Sequence, residues 1–400
     1  MYSLRHLSIP HFKLKNSFEL SLVKFFFALA LALLNTIWAV YMKSFNISDS
    51  TIGFINALIV ILSTFFVFFC VNIIEKFSEK KSFIISSILN MIFLFLIAYF
   101  TNLYIFIFLG IAVTLSGVLR ENSFNIIFRD NSKNKELNSD EAILSVVGNI
   151  AWFLGPILTG FLLLEYSFGL IFNIAAFLIF ISLLLFFKIH PKEKKPLIYE
   201  KKSFKFLIKK FIKTKNISLP YLMSAGISFW WSFIFIYMPL FILEADIGPE
   251  YIGIFIGLTQ LPLILFEYYA GKKSSSDGFK KFFTIGFLGL SIITLICFFI
   301  TDIYLIMILL IFASFFMALI EPLRYSYIFS QISKKNEDDI IPLFSTSISF
   351  GSFTGKVLIA IGLLYFSSSF SFIILSIICF IFFLLALKIP NKQTIKNKII

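Results

Sequence analysis

The stretch FTNLYIF at residues 100–106 occurs again, with the same polar pattern, as ITDIYLI at residues 300–306. Each copy stands between two long apolar runs and carries a threonine three residues before a tyrosine. The same offset of 200 residues aligns further glycines and lysines: Gly53 with Gly253, Lys80 and Lys81 with Lys280 and Lys281, and Gly155 with Gly355. Apolar matches are common in a chain of this composition, but matches of these residue types at one constant offset are rare. We therefore infer that the chain consists of two copies of one design.

The composition indicates that the chain lies in a membrane. Of its 400 residues, 59% are hydrophobic and 14% are charged, which is more apolar surface than a soluble domain of this length can bury. Twelve apolar stretches reach the roughly 20 residues that a transmembrane helix needs: 22–43, 51–73, 82–100, 103–127, 142–164, 168–187, 218–243, 250–270, 282–300, 303–329, 342–366 and 370–387. An apolar and polar alternation with a period of two is absent from these stretches. We therefore expect an all-α membrane protein of twelve transmembrane helices, called spans one to twelve below.

Lysine and arginine are distributed unevenly between the two sides of these spans. The N-terminus, the even-numbered connections and the C-terminus carry 30 of the 35, whereas the odd-numbered connections carry Lys43 alone. The odd-numbered connections also hold six acids: Asp49, Glu165, Glu244, Asp246, Glu250 and Asp302. Because cytoplasmic loops of membrane proteins are enriched in basic residues, we expect a multi-pass protein of the cell membrane with both termini in the cytoplasm.

The residue patterns of several functional classes are missing from the sequence. The three cysteines lie within spans, so neither a disulfide framework nor a metal site is indicated: Cys70, Cys297 and Cys379. The three histidines lie in basic segments outside the spans: His6, His11 and His190. No Walker motif is present, so ATP is not expected to drive the protein. The net charge of +13 belongs to the loops beside the membrane, so we expect no nucleic-acid partner, no cofactor and no metal.

The segment 188–217 joins the two halves and holds 11 lysines against two glutamates. From Phe204 to Ile212, apolar residues recur with the spacing of one helix face, and the lysines fall mostly on other faces. This pattern predicts an amphipathic helix on the anionic inner leaflet of the bilayer, and a solvated basic linker is the alternative. We therefore expect a six-helix bundle in residues 1–187, a basic linker in 188–217 and a second six-helix bundle in 218–400, in a monomeric protein.

Because each copy has six spans, both copies have the same orientation in the membrane. The connection after span two, VNIIEKFSEKK at residues 71–81, resembles the pattern Gly-x-x-x-Asp-Arg-x-Gly-x-Arg-Lys of the major facilitator superfamily, with Val71 at the first glycine. The chain resembles this family of transporters over its whole length. The resemblance implies that charges of this loop and of its second-half copy latch a gate by pairing: Glu75, Lys76, Lys80, Lys81, Asp277, Lys280 and Lys281. Ordinary loop charge is the alternative.

A second motif lies in span five, where GNIAWFLGPILTG occupies residues 148–160. Gly155, Pro156 and Gly160 resemble a glycine-proline stretch of the same family that is discussed most often for exporters. Small residues let helices approach closely, and a proline permits a kink. We expect this stretch to pack helices together, and a role in setting the direction of transport is the alternative.

Charged residues interrupt span four in SGVLRENSFN at residues 116–125, where Arg120 precedes Glu121. The offset of 200 places Glu121 on Glu321, three residues before Arg324 in span ten. An ion that faces lipid costs at least about 2.5 kcal/mol, so we expect these groups to face the interior. Arg120 and Glu121 point about 100° apart on the helix, so one needs a partner elsewhere, for example across the cavity on span ten. We expect Glu121 or Glu321 to bind a coupling proton, and a static salt bridge is the alternative.

Two further charges lie within spans. Lys356 in span eleven takes the place that Pro156 has in span five, and it can pair with a substrate acid or with a carboxylate on another helix. Glu267 lies near the inner end of span eight and can reach the membrane surface. Candidates for the lining of a solute cavity lie in spans one, seven and eight: Asn35, Trp38, Trp230, Trp231, Tyr237 and Gln260. Such rings can stack on a flat or cationic solute, and interfacial anchoring is the alternative.

Together these patterns predict a secondary active transporter that works by alternating access and exchanges protons for small amphipathic compounds, which it exports. Proton-coupled uptake of a sugar, an anion or another metabolite is the alternative, and Arg120, Arg324 and Lys356 would suit an anionic solute. A non-transporting membrane sensor is an alternative of another class. An intramembrane enzyme would need a nucleophile and base or metal ligands at depth, and no histidine lies within a span.

Overall fold

A computed structural model of the chain describes residues 16–132, 137–191, 204–214, 216–333 and 336–390. Spans one to six are the helices Asn16–Lys43, Asp49–Phe77, Glu79–Tyr99, Leu103–Asn131, Leu137–Glu165 and Phe168–Ile189. Span seven joins Ser218–Ser232, a π-helical turn Phe233–Tyr237 and Met238–Glu244, and spans eight and nine are Pro249–Asp277 and Phe279–Phe298. Span ten joins Ile303–Ile320 and Leu323–Phe329, span eleven joins Glu337–Phe344 and Thr346–Tyr365, and span twelve is Phe370–Ala386.

The number of membrane-spanning helices agrees with the number predicted from the sequence. In the described part of the chain, 11 helical segments are long and apolar enough to cross a membrane, and a further apolar helix, Phe370–Ala386, has 17 residues. The predicted fold class, an all-α membrane protein with twelve spans, is therefore confirmed. The N-terminal residues with His6 and His11, the linker residues 192–203 and the C-terminal residues from 391 lie outside the described residues.

The repeated stretch around residues 100 and 300 starts a helix in both halves. Asn102 Oδ1 accepts hydrogen bonds from the backbone N–H groups of Tyr104 at 2.9 Å and Ile105 at 3.2 Å. Asp302 Oδ1 accepts one from Leu305 N–H at 2.9 Å. These side chains satisfy backbone donors that the first turn of a helix leaves without partners. The repeat is thus a helix-capping signal that begins span four and span ten alike.

The turns after spans two and eight also share one geometry. Ser78 has φ 72° and Gly278 has φ 90°. The N–H of Ser78 donates to Ile74 O at 2.8 Å, and that of Gly278 donates to Ser274 O at 2.9 Å. Glycine adopts such a φ freely, whereas serine adopts it at a cost. The loop that resembles the family motif therefore keeps its backbone path in the first half, even though a serine replaces the glycine.

The spans form two bundles with matching internal contacts. In the N-terminal bundle, span one packs on span five, span two packs on span four, and span three packs on spans four and six. The equivalent pairs form in the C-terminal bundle, where span seven packs on span eleven, span eight on span ten, and span nine on spans ten and twelve. We call the interface between the bundles the seam. Spans five and eight, two and eleven, and one and seven pack against each other across it. The internal repeat of the sequence is therefore a repeat of helix packing.

The seam is closed at the end that bears the odd-numbered connections, which we call the acidic end. There Ser50 Oγ donates a hydrogen bond to Ala360 O at 2.8 Å, and Gly53 lies against the Tyr237 hydroxyl. A Cβ added at Gly160 would lie 2.9 Å from both the carbonyl oxygen of Glu250 and the Cα of Gly253. Span five can approach span eight this closely because both helices have glycine at the contact. We call these contacts the acidic-end seal.

The linker helix Phe204–Lys213 packs on the C-terminal bundle. Lys210 Nζ pairs with Asp339 Oδ2 at 2.6 Å, and the ring of Phe211 meets Tyr221 edge to face with centroids 6.0 Å apart. Ile212 is 74% exposed. The helix that the sequence predicts is present, and it uses part of its apolar face on the protein. Its contact with an anionic leaflet stays a prediction.

Replacing Gly160 by alanine is expected to open the acidic-end seal, because the added methyl group meets backbone atoms that cannot rotate away. Overpacking of this kind costs about 1–3 kcal/mol, which corresponds to a roughly 5- to 150-fold lower ratio of sealed to open molecules. Spin labels at Thr101 and Thr301, one on each bundle, measure this as a longer distance in double electron–electron resonance.

The matched control is Gly148→Ala on the same helix, where an added Cβ would meet nothing within 4 Å. Both variants gain the same helix propensity, so a difference between them reports the contact with span eight. Equal distance distributions for the two variants would show that Gly160 does not hold the seal.

Candidate functional site

Span one lies in the centre of the protein and exposes one stripe of side chains. It contacts spans two, four, five and six in its own bundle and spans seven and eight in the other. Leu31 is nevertheless 40% exposed. Lys24, seven residues before Leu31, and Asn35, four residues after it, are partly exposed. These spacings put the three residues on one face of the helix. Since helices of both bundles surround span one, this stripe faces the seam and not lipid.

A charged and aromatic group in the C-terminal bundle surrounds Glu321. Arg324 donates to Glu321 Oε1 at 2.9 Å and to Ser228 Oγ at 2.8 Å. Trp231 Nε1 donates to the other carboxylate oxygen of Glu321 at 2.9 Å. We call Ser228, Trp231, Glu321 and Arg324 the Glu321 cluster. It joins span seven to span ten, and the Glu321 side chain keeps 22% of its surface accessible.

A hydrogen bond between the bundles lies beside the Glu321 cluster. Asn149 Nδ2 of span five donates to Glu267 Oε2 of span eight at 3.0 Å. The Glu321 carboxylate is close enough to that of Glu267 to repel it. Arg324 pairs with the Glu321 carboxylate, whereas the partner shown for the Glu267 carboxylate is the neutral amide of Asn149. With all three ionised, Glu267, Glu321 and Arg324 together carry one net negative charge.

Aromatic rings of both bundles meet at the same level of the seam. The Trp152 ring of span five meets the Phe235 ring of span seven with centroids 5.3 Å apart. The Phe235 ring in turn lies 5.5 Å from that of Trp231, whose N–H binds Glu321. The seam thus presents flat apolar rings next to carboxylates, which is a surface suited to an aromatic or cationic solute.

The neighbours Arg120 and Glu121 have partners on different sides of span four. Glu121 forms an ion pair with Lys24 of span one, and 39% of the Glu121 side chain stays accessible. Arg120 is buried, donates to Asn90 Oδ1 of span three at 3.1 Å and lies over the Phe27 ring at 5.1 Å. Both contacts lie in its own bundle, and among the described residues the Arg120 guanidinium does not contact span ten, which the sequence suggests as the site of a partner. Glu121 is the residue of the two with access to solvent.

Asn90 organises the interior of the N-terminal bundle around Arg120. Its amide nitrogen donates to Val113 O at 2.7 Å and to Ser116 Oγ at 2.8 Å, while its oxygen accepts from Arg120. Both the nitrogen and the oxygen of the Asn90 amide thus form hydrogen bonds from span three to span four. The amide oxygen gives the buried guanidinium a hydrogen-bond acceptor but no counter-charge.

Lys356 lies in the middle of span eleven, on the side of the acidic-end seal that faces the basic end. Tyr237 donates its hydroxyl hydrogen to the backbone carbonyl of Lys356, and Ser232 lies 3.1 Å from Ser352, one turn nearer the other end. Among the described residues, the structure shows no ion pair or side-chain hydrogen bond for the Lys356 ammonium. Helical side chains lean towards the N-terminus of their helix, so Lys356 leans towards the level of Trp231.

The other predicted cavity residues lie within the bundles. Trp38 packs on the Phe106 ring at 4.8 Å, Trp230 is fully buried, and Gln260 is buried with its amide 3.2 Å from Thr259 Oγ1. The seam residues Lys24, Asn149 and Trp152 were missed by sequence reasoning. A single lysine inside span one was the available signal for Lys24, whereas nothing in the pattern singles out the other two.

The two sequence motifs fall on opposite ends of the protein. In the second gate loop, Lys281 pairs with Asp277 at 3.5 Å, and in the first loop the Lys76 ammonium lies 5.3 Å from the Phe77 ring centre. A latch between the bundles stays a prediction, as do the roles of the remaining loop charges: Glu75, Lys80, Lys81 and Lys280. In span five, Gly155 packs on Ala32 of span one, and Gly160 and the Pro156 carbonyl lie against Gly253.

These features define a multi-pass α-helical membrane protein in which two similar six-helix bundles enclose a polar seam. The family model of the Major Facilitator Superfamily matches residues 20–276 and 221–399. The chain belongs to this superfamily. No curated protein matches the sequence.

Solved transporter structures share the fold at low sequence identity. A single-site variant of the nucleoside transporter NupG superposes with a TM-score of 0.79 at 15% identity, covering 93% of this chain and 99% of that one. A D-xylose–proton symporter gives a TM-score of 0.73 at 14% identity, covering 94% and 97%. A bacterial homologue of the human lysosomal transporter Spinster gives 0.74 at 12% identity, covering 93% and 96%.

Asn90→Ala is expected to destabilise the protein by about 1–3 kcal/mol, because it removes the side-chain acceptor of the buried Arg120 guanidinium. Thermal unfolding in detergent measures the effect as a lower Tm. Asn35→Ala is the matched control, since the Asn35 amide donates only to Leu31 O of its own helix at a partly exposed site. If Asn35→Ala lowered the Tm as much as Asn90→Ala, the role assigned to Asn90 would be wrong.

Proposed function

We propose that the chain is a proton-coupled secondary transporter that exports small amphipathic solutes by alternating access. The observation that carries the proposal is the Glu321 cluster with Glu267 and Asn149 beside it, because this group places titratable carboxylates at a seam that must open and close. Intramembrane ions of this kind mark substrate and proton pathways in transporters.

The coupling follows from the uncompensated charge. Closing the seam around two carboxylates and one guanidinium desolvates a net negative charge, which is costly. A proton on Glu321 or Glu267 removes this charge, and so does a bound cationic solute. Either ligand therefore allows the bundles to move, whereas the empty, ionised site opposes the movement. Such a site exchanges protons for solute and does not leak either one.

The local contacts supply a switch for this exchange. Protonation of Glu321 weakens the charge-assisted hydrogen bonds from Trp231 and Arg324, because an ionised acceptor binds a donor roughly twice as strongly as a neutral one. The freed indole of Trp231 lies beside Phe235 and Trp152, the rings proposed to contact the solute. Proton binding and solute binding thus act on the same side chains.

The proposed direction rests on the orientation of the chain. If the basic loops are cytoplasmic, the acidic-end seal closes the outside, and a solute enters the seam from the cytoplasm. Gly155, Pro156 and Gly160, which resemble the stretch discussed for exporters, belong to the helix that forms this seal. Export of cytoplasmic solutes in exchange for external protons accords with both points.

Proton-coupled uptake of an anionic metabolite is a second candidate, and Lys356 is the observation that favours it. An ammonium in the middle of a span needs a counter-charge, and a carboxylate or phosphate of a solute would supply one. A proton on Glu321 or Glu267 would then accompany the anion, because one proton and one monovalent anion together add no net charge to the site. Transport measurements with solutes of opposite charge separate this candidate from export.

Glu321→Gln is expected to abolish coupled transport by the reconstituted protein, because glutamine cannot exchange a proton. In proteoliposomes with an imposed pH gradient, ethidium flux serves as a probe for an aromatic cation, and we expect at least about a hundredfold loss, the lower end of what an essential acid–base group contributes. Glu165→Gln, at an exposed helix end, is the matched control and should transport as the unaltered protein does.

The same vesicles test the alternatives. Unchanged ethidium exchange in Glu321→Gln would end the proton role of this residue. Loss of benzoate uptake in Lys356→Gln, together with absence of ethidium flux in the unaltered protein, would favour the anion candidate. Absence of flux for a broad panel of solutes would favour a membrane sensor.

A further inference from the structure

The guanidinium of Arg120 is a buried charge that uses only one of its edges. Arg120 is 4% exposed, and its Nη1 donates to the neutral amide oxygen of Asn90 at 3.1 Å. Its Nε has no hydrogen-bond partner among the described residues, and neither has its Nη2. These two nitrogens form one edge of the planar group, which we call the Nε–Nη2 edge. Such an edge can bind an anion through two parallel N–H groups.

The charges around this guanidinium do not balance. Glu121, the next residue, is paired with Lys24 of span one. The Lys24 ammonium and the Arg120 guanidinium lie 4.8 Å and 5.1 Å from the centre of the same Phe27 ring. With all three ionised, Lys24, Arg120 and Glu121 together carry one net positive charge. Because a buried charge without a counter-charge is costly, this group favours a bound anion.

Two buried hydroxyl groups near the guanidinium add to the excess of hydrogen-bond donors. Ser87 lies one turn before Asn90 on span three, and Ser123 lies one turn after Arg120 on span four, so both lie on the facing surfaces of these helices. Within the part of the chain that the structure describes, neither buried hydroxyl has a partner. A buried polar group without a hydrogen bond costs free energy. The region between spans three and four therefore has more donors than the surrounding helices satisfy.

Gly117 leaves room beside the Nε–Nη2 edge. A Cβ added at Gly117 would lie 4.0 Å from Arg120 Nη2 and 3.8 Å from Asn90 Nδ2, so a methyl-sized group fits there in ordinary contact. Gly117 is half-buried and lies one turn before Glu121, whose side chain is 39% accessible. Residues four apart share a helix face, so Gly117 lies on the side of span four that borders the seam. A monatomic ion can thus reach an edge that is too deeply buried for a large organic acid.

We propose that the Nε–Nη2 edge of Arg120, reached past Gly117, binds a small inorganic anion such as chloride. The anion supplies the counter-charge that the Asn90 amide does not, and it neutralises the interior of the N-terminal bundle. A spherical anion accepts hydrogen bonds from any direction, so it can accept both N–H groups of the edge at once. The site is separate from the Glu321 cluster and from Lys356, and it needs no transported solute.

Thermal unfolding of the full-length protein in detergent tests the site. Sodium chloride replaces sodium gluconate at constant ionic strength, so that only the anion changes. A ligand that binds the folded state alone stabilises it, and above the Kd each tenfold rise in chloride raises the ratio of folded to unfolded protein by about tenfold. We therefore expect the Tm to rise with the logarithm of the chloride concentration.

Gly117→Ala provides the decisive variant, because its methyl group occupies the room beside Nη2 without a clash. It should fold and lose the dependence of the Tm on chloride. The matched control is Gly148→Ala in span five, where an added Cβ meets nothing within 4 Å and the gain in helix propensity is the same. It should keep the dependence. Arg120→Gln should bind chloride about 10- to 150-fold more weakly, the contribution of a hydrogen bond to a charged group.

Crystals grown in sodium bromide locate the anion directly. Bromide scatters X-rays anomalously, and we expect an anomalous peak within hydrogen-bond distance of Nε and Nη2 of Arg120. The same crystals of Gly117→Ala should lack this peak. A peak at Lys356 and none at Arg120 would place the anion in the other bundle and reject the proposal.

Equal chloride dependence of the Tm in Gly117→Ala and Gly148→Ala would also overturn the proposal. A Tm that does not respond to chloride in the unaltered protein would do the same, since water would then satisfy the edge. A Tm that rises with sodium benzoate and not with chloride would assign the edge to an organic carboxylate and reject a small ion. Failure of ethidium exchange leaves these measurements unaffected, so the two proposals stand or fall separately.

Discussion

The free-energy cost of an ion in hydrocarbon is the constraint that explains where the charged side chains of the spans lie. Glu121 pairs with Lys24, Glu321 pairs with Arg324, and the buried Arg120 binds Asn90. Each arrangement faces another helix, because lipid offers no partner to a charge. A transporter needs charges that can bind and release a ligand, and the same cost confines them to the seam, where water and solute have access. The architecture of two bundles around a polar seam therefore follows from electrostatics as much as from helix packing.

The two halves repeat one helical framework but carry different chemistry on it. Asn102 and Asp302 cap equivalent helices, and Glu121 and Glu321 occupy equivalent positions. Glu121 nevertheless binds a lysine from span one, whereas Glu321 binds an indole and an arginine. The framework is fixed by features that any pair of six-helix bundles needs, namely caps, glycine contacts and apolar faces. The ions are free to diverge, and the second carboxylate beside the Glu321 cluster, that of Glu267, is the asymmetry on which the proposed coupling depends.

Much of the fold could be read from the sequence because its signals are local. Span length, the capping residues around 100 and 300, and the three-residue spacing of Glu321 and Arg324 need no knowledge of distant contacts. The partners of Arg120, the bond from Asn149 to Glu267 and the docking of the linker helix through Lys210 join residues 30, 118 and 129 positions apart. No periodicity encodes such pairs, and for that reason the composition of the site emerged only from the structure. The mid-helix position predicts a cavity role for Trp230 and Trp231 alike, but Trp231 reaches Glu321 while Trp230 is fully buried.

The stripe of span one at Leu31 lines a seam that is closed at the acidic end, and we infer that water enters this seam from the basic end. Single cysteines at Leu31 and at Phe177, a 59% exposed residue in the middle of the peripheral span six, test it directly in a background without native cysteines. A membrane-impermeant maleimide needs water to reach a reactive thiolate. We expect that Leu31→Cys is labelled when the reagent is applied to the basic side and that Phe177→Cys, facing acyl chains, is not. Equal labelling at the two positions, or labelling of Leu31→Cys from the acidic side alone, would contradict it.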